Sequence, residues 1–477
     1  MKGILKMSDK KTKGQILHDE LFYKKKNAFN EKTKEELAFA TDYAKGYVKF
    51  LDSSKTEREA VVTSIAMLEK EGYREYNLGD KINAGDKLYL NNRGKSLYVL
   101  KVGTEEIEKG VRICAAHIDS PRLDLKQHPL FENDGIAYFK THYYGGIRKY
   151  QWATIPLALH GSVTKADGSS VDVRIGDEIG DPVFCITDLL PHLAKDQNSK
   201  PLGQAFTGEG LNVILGSAPY FEENGKITPA DDKVMLNIMV MLNEKYGITE
   251  SDFISAELCI VPAYNAVDVG FDRWLIGAYG HDDRVCAYPA LTALVENGDS
   301  VHTCMAVLAD KEEIGSEGVT GMQCNIFIDI LDELAKNLGG NVNIVKMNSK
   351  CLSADVTACF DPNYPEVSEK KNSSILHCGV SMAKYTGSFG KNSTNDASSE
   401  YVGFIRRIFD DAGVIWQSAE MGKVDQGGGG TVAKYISKHN IETVDIGVPV
   451  LSMHAPFEII SKSDLYEAHR AFSAFCK

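Results

Sequence analysis

The sequence lacks closely spaced cysteine pairs, although it contains ten cysteines. The smallest spacing is the eight-residue step from Cys351 to Cys359, so no CxxC metal or redox motif exists. Scattered thiols within apolar runs, such as Val111 to Ala116, are typical of reduced core residues rather than of a disulfide framework. This pattern indicates a cytoplasmic protein.

The sequence also lacks an excess of basic charge and a long apolar run. Its 66 acidic and 53 basic residues give a formal charge of -13, which repels phosphate backbones and anionic lipid. The longest apolar stretch, near Val234 to Leu242, is far shorter than the ~20 residues of a membrane helix. Lys2 and Lys6 are followed by no apolar segment, so we expect no signal peptide. Neither a nucleic acid nor a membrane is the expected partner.

The length of 477 residues is about three times that of a usual domain and favours either two domains or one large domain with an insertion. From residue 127 to residue 270, short alternating runs such as Ser170 to Ile175 indicate a β-rich segment. Helical and strand patterns alternate on both sides of it. We therefore predict an α/β domain formed by residues 1–126 and 271–477, interrupted by a β-rich domain at 127–270.

The periodicity of apolar residues also predicts individual elements. The predicted helices cover residues 34–55, 57–72, 283–295, 325–338, 398–412, 431–439 and 464–475. The predicted strands cover residues 96–102, 111–118, 302–309, 350–357 and 443–452.

Several common catalytic templates are missing. No His is followed by Glu, so HExxH is excluded, and no GxSxG nucleophile elbow occurs. The run Gly387 to Lys391 imitates a Walker loop, but Tyr385 occupies the position of the first glycine and Asn392 follows the lysine. No nucleotide site is indicated.

Histidines and carboxylates are present at the ends of predicted strands and the starts of helices, where open α/β sheets place their ligands. Each cluster alone has an ordinary explanation, such as a helix cap, a solvated acid pair or a structural histidine. The five clusters are His117 with Asp119, Asp282 with Asp283, Glu312 with Glu313, Asp355, and His454. Their repetition at successive strand ends favours a metal site over five independent coincidences.

Two histidines with three or four carboxylates make a suitable ligand set for a pair of divalent ions, with zinc the first candidate. One carboxylate can bridge both ions. A glutamate next to a ligand can then act as general base towards a water whose acidity the ions raise. This combination indicates hydrolysis.

These motifs resemble the aspartyl aminopeptidase family of dinuclear zinc exopeptidases, and the resemblance covers nearly the whole chain. The order and spacing of the segments together are specific to this family, although each segment alone is weak evidence. The matching segments are 115–121, 144–146 (Tyr-Gly-Gly), 191–194 (Pro-His-Leu-Ala), 282–283, 312–316, 353–355 and 448–454.

The resemblance implies roles for individual residues. It makes Asp282 the bridging ligand, places His117 and Asp355 at one ion, and places Glu313 and His454 at the other. It makes Glu312 the general base and Asp119 the group that orients His117. The two ions would be Zn²⁺, with Co²⁺ or Mn²⁺ as alternatives.

The resemblance also implies an architecture and a substrate site. It predicts a phosphorylase-like, mixed-sheet catalytic domain and an inserted β domain that pairs subunits within a homo-dodecamer built from dimers. His192 would reach a neighbouring subunit's site. Apart from the resemblance, Gly427 to Gly430 precede a predicted helix, so backbone N–H groups around Gly429 are expected to hold a substrate carboxylate or carbonyl, with a plain turn as the alternative. Lys384 is the counterpart of a basic group that favours acidic N-terminal residues, although the flanking residues 387–394 differ from that branch.

The leading hypothesis is a metallo-aminopeptidase that removes single N-terminal residues from peptides. A second hypothesis is a two-metal hydrolase of another amide, of the deacylase or carboxypeptidase type, which would not require a free amine. A third is a non-catalytic assembly or cargo protein that retains the fold.

Overall fold

The computed structural model describes residues 11–298 and 300–477. The predictions that concern Lys2, Lys6 and the rest of the first ten residues lie outside this range. Within it, every helix is too short or too polar to cross a lipid bilayer.

Thirteen α-helices occur in the described residues. Thr33 and Thr56 each begin a helix with a capping box that includes a glutamate three residues on. The helices are α1 Lys13–Leu21, α2 Ala28–Glu31, α3 Lys34–Asp52, α4 Glu57–Lys70, α5 Lys195–Asn198, α6 Leu202–Ala205, α7 Lys233–Tyr246, α8 His281–Glu296, α9 Ile326–Leu338, α10 Val342–Asn348, α11 Ser399–Asp411, α12 Ala433–Ser437 and α13 Lys462–Cys476.

Twenty strands occur in the same residues, and most of the longer ones have β-branched or other apolar side chains at alternate positions. They are β1 Arg74–Glu75, β2 Lys87–Asn92, β3 Ser96–Lys101, β4 Val111–His117, β5 Arg122–Asn133, β6 Ile136–Tyr144, β7 Leu157–Thr164, β8 Ser170–Ile175, β9 Val213–Gly216, β10 Ala256–Pro262, β11 Val267–Val269, β12 Leu275–Ala278, β13 Thr303–Ala309, β14 Lys350–Ala354, β15 Thr357–Ala358, β16 Val380–Ala383, β17 Trp416–Ser418, β18 Glu442–Gly447, β19 Pro449–Leu451 and β20 Glu458–Ser461.

The main sheet is mixed, with nine strands in the order β1-β2-β3-β13-β4-β14-β18-β16-β17. Its centre, β13-β4-β14-β18, is parallel, and β3 and β16 run antiparallel to it. All seven residues of β13 are buried, as expected for a strand covered by helices on both faces. The parallel register brings the carboxyl ends of the central strands to one edge.

Two smaller sheets complete the fold. The second sheet is antiparallel, with the order β8-β7-β10-β5-β6-β9, and it has its own core, which includes the fully buried Trp152. The third sheet has the order β11-β12-β20-β19-β15. Its strands β15 and β19 follow directly in the chain after β14 and β18 of the main sheet. The protein is therefore a mixed α/β protein with several sheets.

The element boundaries differ from the predicted ones where the chain changes sheet. The strand predicted over 443–452 is divided into β18 and β19, which belong to different sheets. At the break, a Cβ on Gly447 would lie 1.8 Å from the carbonyl oxygen of Asp355, so the backbones are too close for any side chain. The strand predicted over 350–357 is divided in the same way into β14 and β15.

The segment predicted to be β-rich differs at two points. It contains the 14-residue helix α7, which the sequence analysis noted only as an apolar stretch. Strand β5 already begins at Arg122, five residues before the predicted boundary at 127. The predicted helix 431–439 is also shorter in the structure, where α12 has five residues.

A buried ion network joins the start of α4 to the second sheet. Lys55 Nζ lies 2.6 Å from Asp177 Oδ1, and both side chains are almost inaccessible. His160 connects Asp177, at 2.9 Å, to Glu59, at 2.8 Å. Burial alone would raise the pKa of Asp177, but His160 and Lys55 hold it well below its usual value.

We expect Asp177→Asn to destabilise the fold by about 3 kcal/mol, because it leaves Lys55 buried without its counter-ion. Since the pKa of Asp177 is lower in the folded state, its contribution is present above about pH 4 and is lost as the pH falls. The difference in denaturant midpoint from the wild type should therefore stay constant from pH 7 to about pH 4 and begin to narrow between pH 4 and pH 3. The exposed Asp172→Asn is the matched control, and equal midpoints for all three proteins at pH 7 would contradict the expectation.

Candidate metal centre

Five side chains from five separate segments meet at the edge where the central strands end. His117 is the last residue of β4, and Asp355 follows β14 directly. Asp282 lies in the first turn of α8, Glu313 lies in the turn after β13, and His454 lies in the loop between β19 and β20. The sheet topology thus brings together the histidines and carboxylates that the sequence analysis singled out.

The five residues form two groups that share Asp282. His117, Asp282 and Asp355 form one group, and Asp282, Glu313 and His454 form the other; within each, the potential ligand atoms lie within 4.8 Å of one another. Asp282 Oδ1 lies 3.3 Å from His117 Nε2, and Asp282 Oδ2 lies 3.2 Å from His454 Nε2. Each oxygen of one carboxylate therefore serves a different group, which suits a bridging ligand.

The charge balance of this cluster is unfavourable without cations. Burial and neighbouring carboxylates raise the pKa of Asp355 and of Glu313 well above the usual value. Burial has the same tendency at Asp282, but His117 and His454 hold the pKa of Asp282 below its usual value. Asp282 Oδ1 and Glu313 Oε1 are buried and accept no hydrogen bond from any described residue.

These residues fit a pair of divalent ions. Two imidazoles and three carboxylates are ligands that zinc accepts. Cations would supply the charge that the crowded acids lack and would occupy the unpartnered oxygens. His117, Asp282 and Asp355 would hold one ion, and Asp282, Glu313 and His454 the other.

Asp119 is fully buried and organises the residues around it. His117 Nδ1 donates to the backbone carbonyl oxygen of Asp119 at 3.0 Å and lies 3.3 Å from Asp119 Oδ1, which accepts the backbone N–H of Glu312 at 3.1 Å. Asp119 Oδ2 accepts the backbone N–H of Glu313 at 3.2 Å and the hydroxyl of Tyr144 at 2.8 Å. Asp119 thus orients His117 mainly through its backbone carbonyl, with Nε2 towards the cluster, and its carboxylate fixes the turn that carries both glutamates.

Glu312 lines the same cleft as the cluster. Burial raises its pKa, and repulsion from Asp119 and Asp282 adds to the effect. A carboxyl group with a raised pKa beside a reaction centre suits proton transfer near neutral pH.

His454 is positioned by two contacts from other segments. Its Nδ1 lies 2.8 Å from the carbonyl oxygen of Gly146, which can only accept, so Nδ1 carries the proton and Nε2 is available to a cation. Glu458 on β20 accepts the backbone N–H groups of His454 at 2.7 Å and of Asp282 at 3.0 Å. Burial and the nearby Asp282 raise the pKa of Glu458 to about 8.

Neither Glu458 nor the hydrogen bond from Tyr144 to Asp119 was predicted from the sequence. The sequence carried no signal for Glu458, because its burial in the short strand Glu458–Ser461 and its two N–H partners are visible only in the structure. Tyr144 was part of a segment that supports the family resemblance, but the sequence indicated no partner for its hydroxyl.

The cluster opens into a cleft with a volume of about 260 Å³, and Gly428 to Gly430 and Thr431 form part of its wall. Lys384 is not part of the wall: its side chain is half-exposed, and its ammonium lies 2.8 Å from Asp396. His192 is exposed in the loop between β8 and α5 and does not line this chain's cleft. Asp283 is buried next to the cluster but belongs to neither potential ligand group.

A mixed α/β fold with histidines and carboxylates gathered in a cleft at strand ends defines a metal-dependent hydrolase. The chain belongs to the M18 family of zinc aminopeptidases: the family described as "Aminopeptidase I zinc metalloprotease (M18)" matches residues 50–476. The predicted resemblance and the predicted class of enzyme are both confirmed.

Individual relatives agree with this assignment. The probable M18 family aminopeptidase 1 of Clostridium acetobutylicum is 46% identical over 466 residues, which cover 96% of this chain and 99% of the relative. The crystal structure of the M18 aminopeptidase of Thermotoga maritima has a TM-score of 0.90 at 41% identity, covering 96% of this chain and all of that one. The S. cerevisiae mApe1 dodecamer shares the fold, with a TM-score of 0.74 at 20% identity over 91% of this chain and 96% of its own.

We expect Glu458→Gln to weaken zinc retention about 10- to 100-fold, the usual cost of losing a group that positions metal ligands. A glutamine offers one acceptor oxygen, so it cannot accept both the Asp282 and the His454 N–H groups. Competition with a chelator measures the change. The exposed Glu366→Gln is the control, and unchanged zinc retention in Glu458→Gln would show that Glu458 does not support the ligands.

Proposed function

We propose that this protein holds two zinc ions and hydrolyses the bond after the N-terminal residue of a peptide. The observation that carries the proposal is Asp282, whose two oxygens face His117 and His454 in two groups of ligands. A carboxylate placed in this way suits a two-ion site, and Glu312 in the same cleft suits a general base. Co²⁺ and Mn²⁺ are the alternative ions.

Two ions bound here would polarise the scissile carbonyl and make a water molecule more acidic. Glu312 would take the proton of the attacking water and deliver it to the leaving amine. Asp119 would keep His117 in the orientation that its ligand role requires. A carboxylate near the ligands would bind the free α-ammonium group, and backbone N–H groups around Gly429 would hold a carbonyl or carboxylate oxygen of the substrate.

The proposal extends to a domain arrangement and an assembly. Residues 1–126 and 271–477 would form a phosphorylase-like catalytic domain, and residues 127–270 an inserted domain for oligomerisation. The second sheet, with its own core, and the shared fold of the S. cerevisiae dodecamer support a dodecamer built from dimers. His192, exposed on the loop after β8, would then reach the site of a neighbouring subunit.

All ten cysteines are free, which supports a cytoplasmic location.

We expect Glu312→Gln to retain its metal but to lose at least about 100-fold in kcat, because the amide cannot accept the proton. Steady-state kinetics together with metal analysis of the same samples measure both quantities. Normal turnover in a metal-loaded variant would mean that another group is the base.

If His192 completes the site of a neighbouring subunit, two variants that are inactive alone should restore activity to each other in mixed oligomers. We expect His192→Ala and Glu312→Gln each to be nearly inactive alone, because one lacks the group supplied to the neighbour and the other lacks the base. When both are expressed in one cell, mixed oligomers will contain intact sites, and activity should return to a measurable fraction of the wild type. An absence of recovery in mixed oligomers confirmed by mass spectrometry would place His192 outside the neighbouring site.

An aminopeptidase requires a free N-terminal amine in its substrate, whereas the alternative amide hydrolases do not. Release from a free-amine peptide but not from its N-acetylated form supports an aminopeptidase. The reverse result would favour the deacylase type. A protein without bound metal and without turnover on either peptide would favour a non-catalytic role.

A further inference from the structure

The cleft wall away from the candidate ligands combines apolar side chains with two acids, Glu420 and the buried Asp445, which accepts hydrogen bonds from Ser353 and Thr431. Ala383, Ala419, Met421 and Met453 contribute the apolar part of the wall. Among the described residues that line the cleft, none is Lys or Arg, and Glu420 is the one acid on the segment 419–421.

Glu420 is held in place but has no cationic partner. Its Oε1 accepts the hydroxyl of Tyr385 at 2.5 Å, and its backbone N–H donates to the carbonyl oxygen of Asn372 at 2.7 Å. No ion pair within 4.0 Å and no hydrogen bond to Oε2 involves another described residue. A fixed carboxylate at the wall of a cleft therefore has an acceptor oxygen available.

Two lysines on the segment that carries Tyr385 are already paired elsewhere. Lys384 and Lys391 lie 2.8 Å and 3.1 Å from the two oxygens of Asp396. Lys391 also covers the ring of Tyr385, with its ammonium 3.8 Å from the ring centroid. Neither lysine lines the cleft, so neither neutralises Glu420 there.

We propose that Glu420 binds the side-chain cation of an N-terminal lysine or arginine, which makes cationic peptides the preferred substrates; this rests on the aminopeptidase function proposed above. The aliphatic stem of such a side chain would pack against the alanine and methionine wall while its charged end reaches the carboxylate. An acidic side chain would meet like charge at the same place. This assignment replaces the acidic preference implied for Lys384.

The position of Glu420 separates this role from binding of the α-ammonium group. A carboxylate that holds the α-ammonium has to lie next to the scissile carbonyl and therefore next to the ligands. The ring nitrogens of His117 and His454 have Asp282, Asp355, Glu313 and Asp119 within 4.0 Å, but not Glu420. Glu420 therefore lies outside the immediate surroundings of the two histidines and is available to a side-chain cation.

The test compares kcat/KM for peptides that differ only in an N-terminal Lys, Arg, Met or Glu, using the zinc-loaded full chain. We expect the wild type to prefer Lys and Arg. Glu420→Gln should lower kcat/KM for these two about 10- to 100-fold, the size of a charge-assisted hydrogen bond, and change the value for Met less than about twofold. The amide oxygen of glutamine can still accept the Tyr385 hydroxyl, so the local fold should be kept. The exposed Glu400→Gln is the matched control.

Calorimetric binding of free L-lysine and L-methionine to the same proteins gives a readout that needs no turnover. Tighter binding of lysine that is lost in Glu420→Gln supports the proposal even if no peptide is cleaved, a result that would contradict the aminopeptidase function alone. An equal loss for all four peptides would make Glu420 an α-ammonium ligand and overturn the proposal. A preference for Glu that disappears in Lys384→Gln would overturn it as well.

Discussion

The arrangement of the whole site depends on one buried carboxylate, Asp282, that faces two histidines at once. A single acid between two imidazoles is favourable, but Glu313 and Asp355 bring further acids into the same buried space. Such crowding raises the free energy of the folded chain unless positive charge is supplied. Two divalent ions would remove this repulsion and satisfy oxygens that accept no hydrogen bond from the described residues.

The surrounding structure holds this arrangement from several directions. Asp119 acts from the end of β4, Glu458 from the third sheet, and Gly146 from the chain that leaves the second sheet. The second sheet therefore contributes directly to the geometry of the centre, in addition to any role in assembly. Because candidate ligands from five segments must meet within a few ångströms, small changes in packing between the sheets would alter the distances between them.

Much of the fold and of the candidate site could be predicted from the sequence. The helices and strands on both sides of the β-rich segment have clear periodicity, and the motif order around His117, Asp282, Glu312 and His454 led to the family. The divided strands near Gly447 could not be predicted, because an apolar run looks the same whether it stays in one sheet or changes to another. Helix α7 was missed because a short apolar stretch in a β-rich region does not distinguish helix from strand.

The parts of the site that the sequence did not reveal depend on contacts between distant residues. The role of Glu458 becomes clear only from its hydrogen bonds, because its carboxylate accepts the backbone N–H groups of Asp282 and His454. The orientation of Lys384 is determined by Asp396, twelve residues away, so its presence in the sequence did not show which way its charge points.

The most direct test of the central claim is the zinc stoichiometry of Asp282→Asn, measured by calorimetric titration next to the wild type. We expect two ions per chain for the wild type and the loss of high-affinity binding at both sites in the variant, since the asparagine has one oxygen in place of the two that face the two groups. A variant that still binds two ions with wild-type affinity, or a wild type that binds only one, would contradict a shared carboxylate.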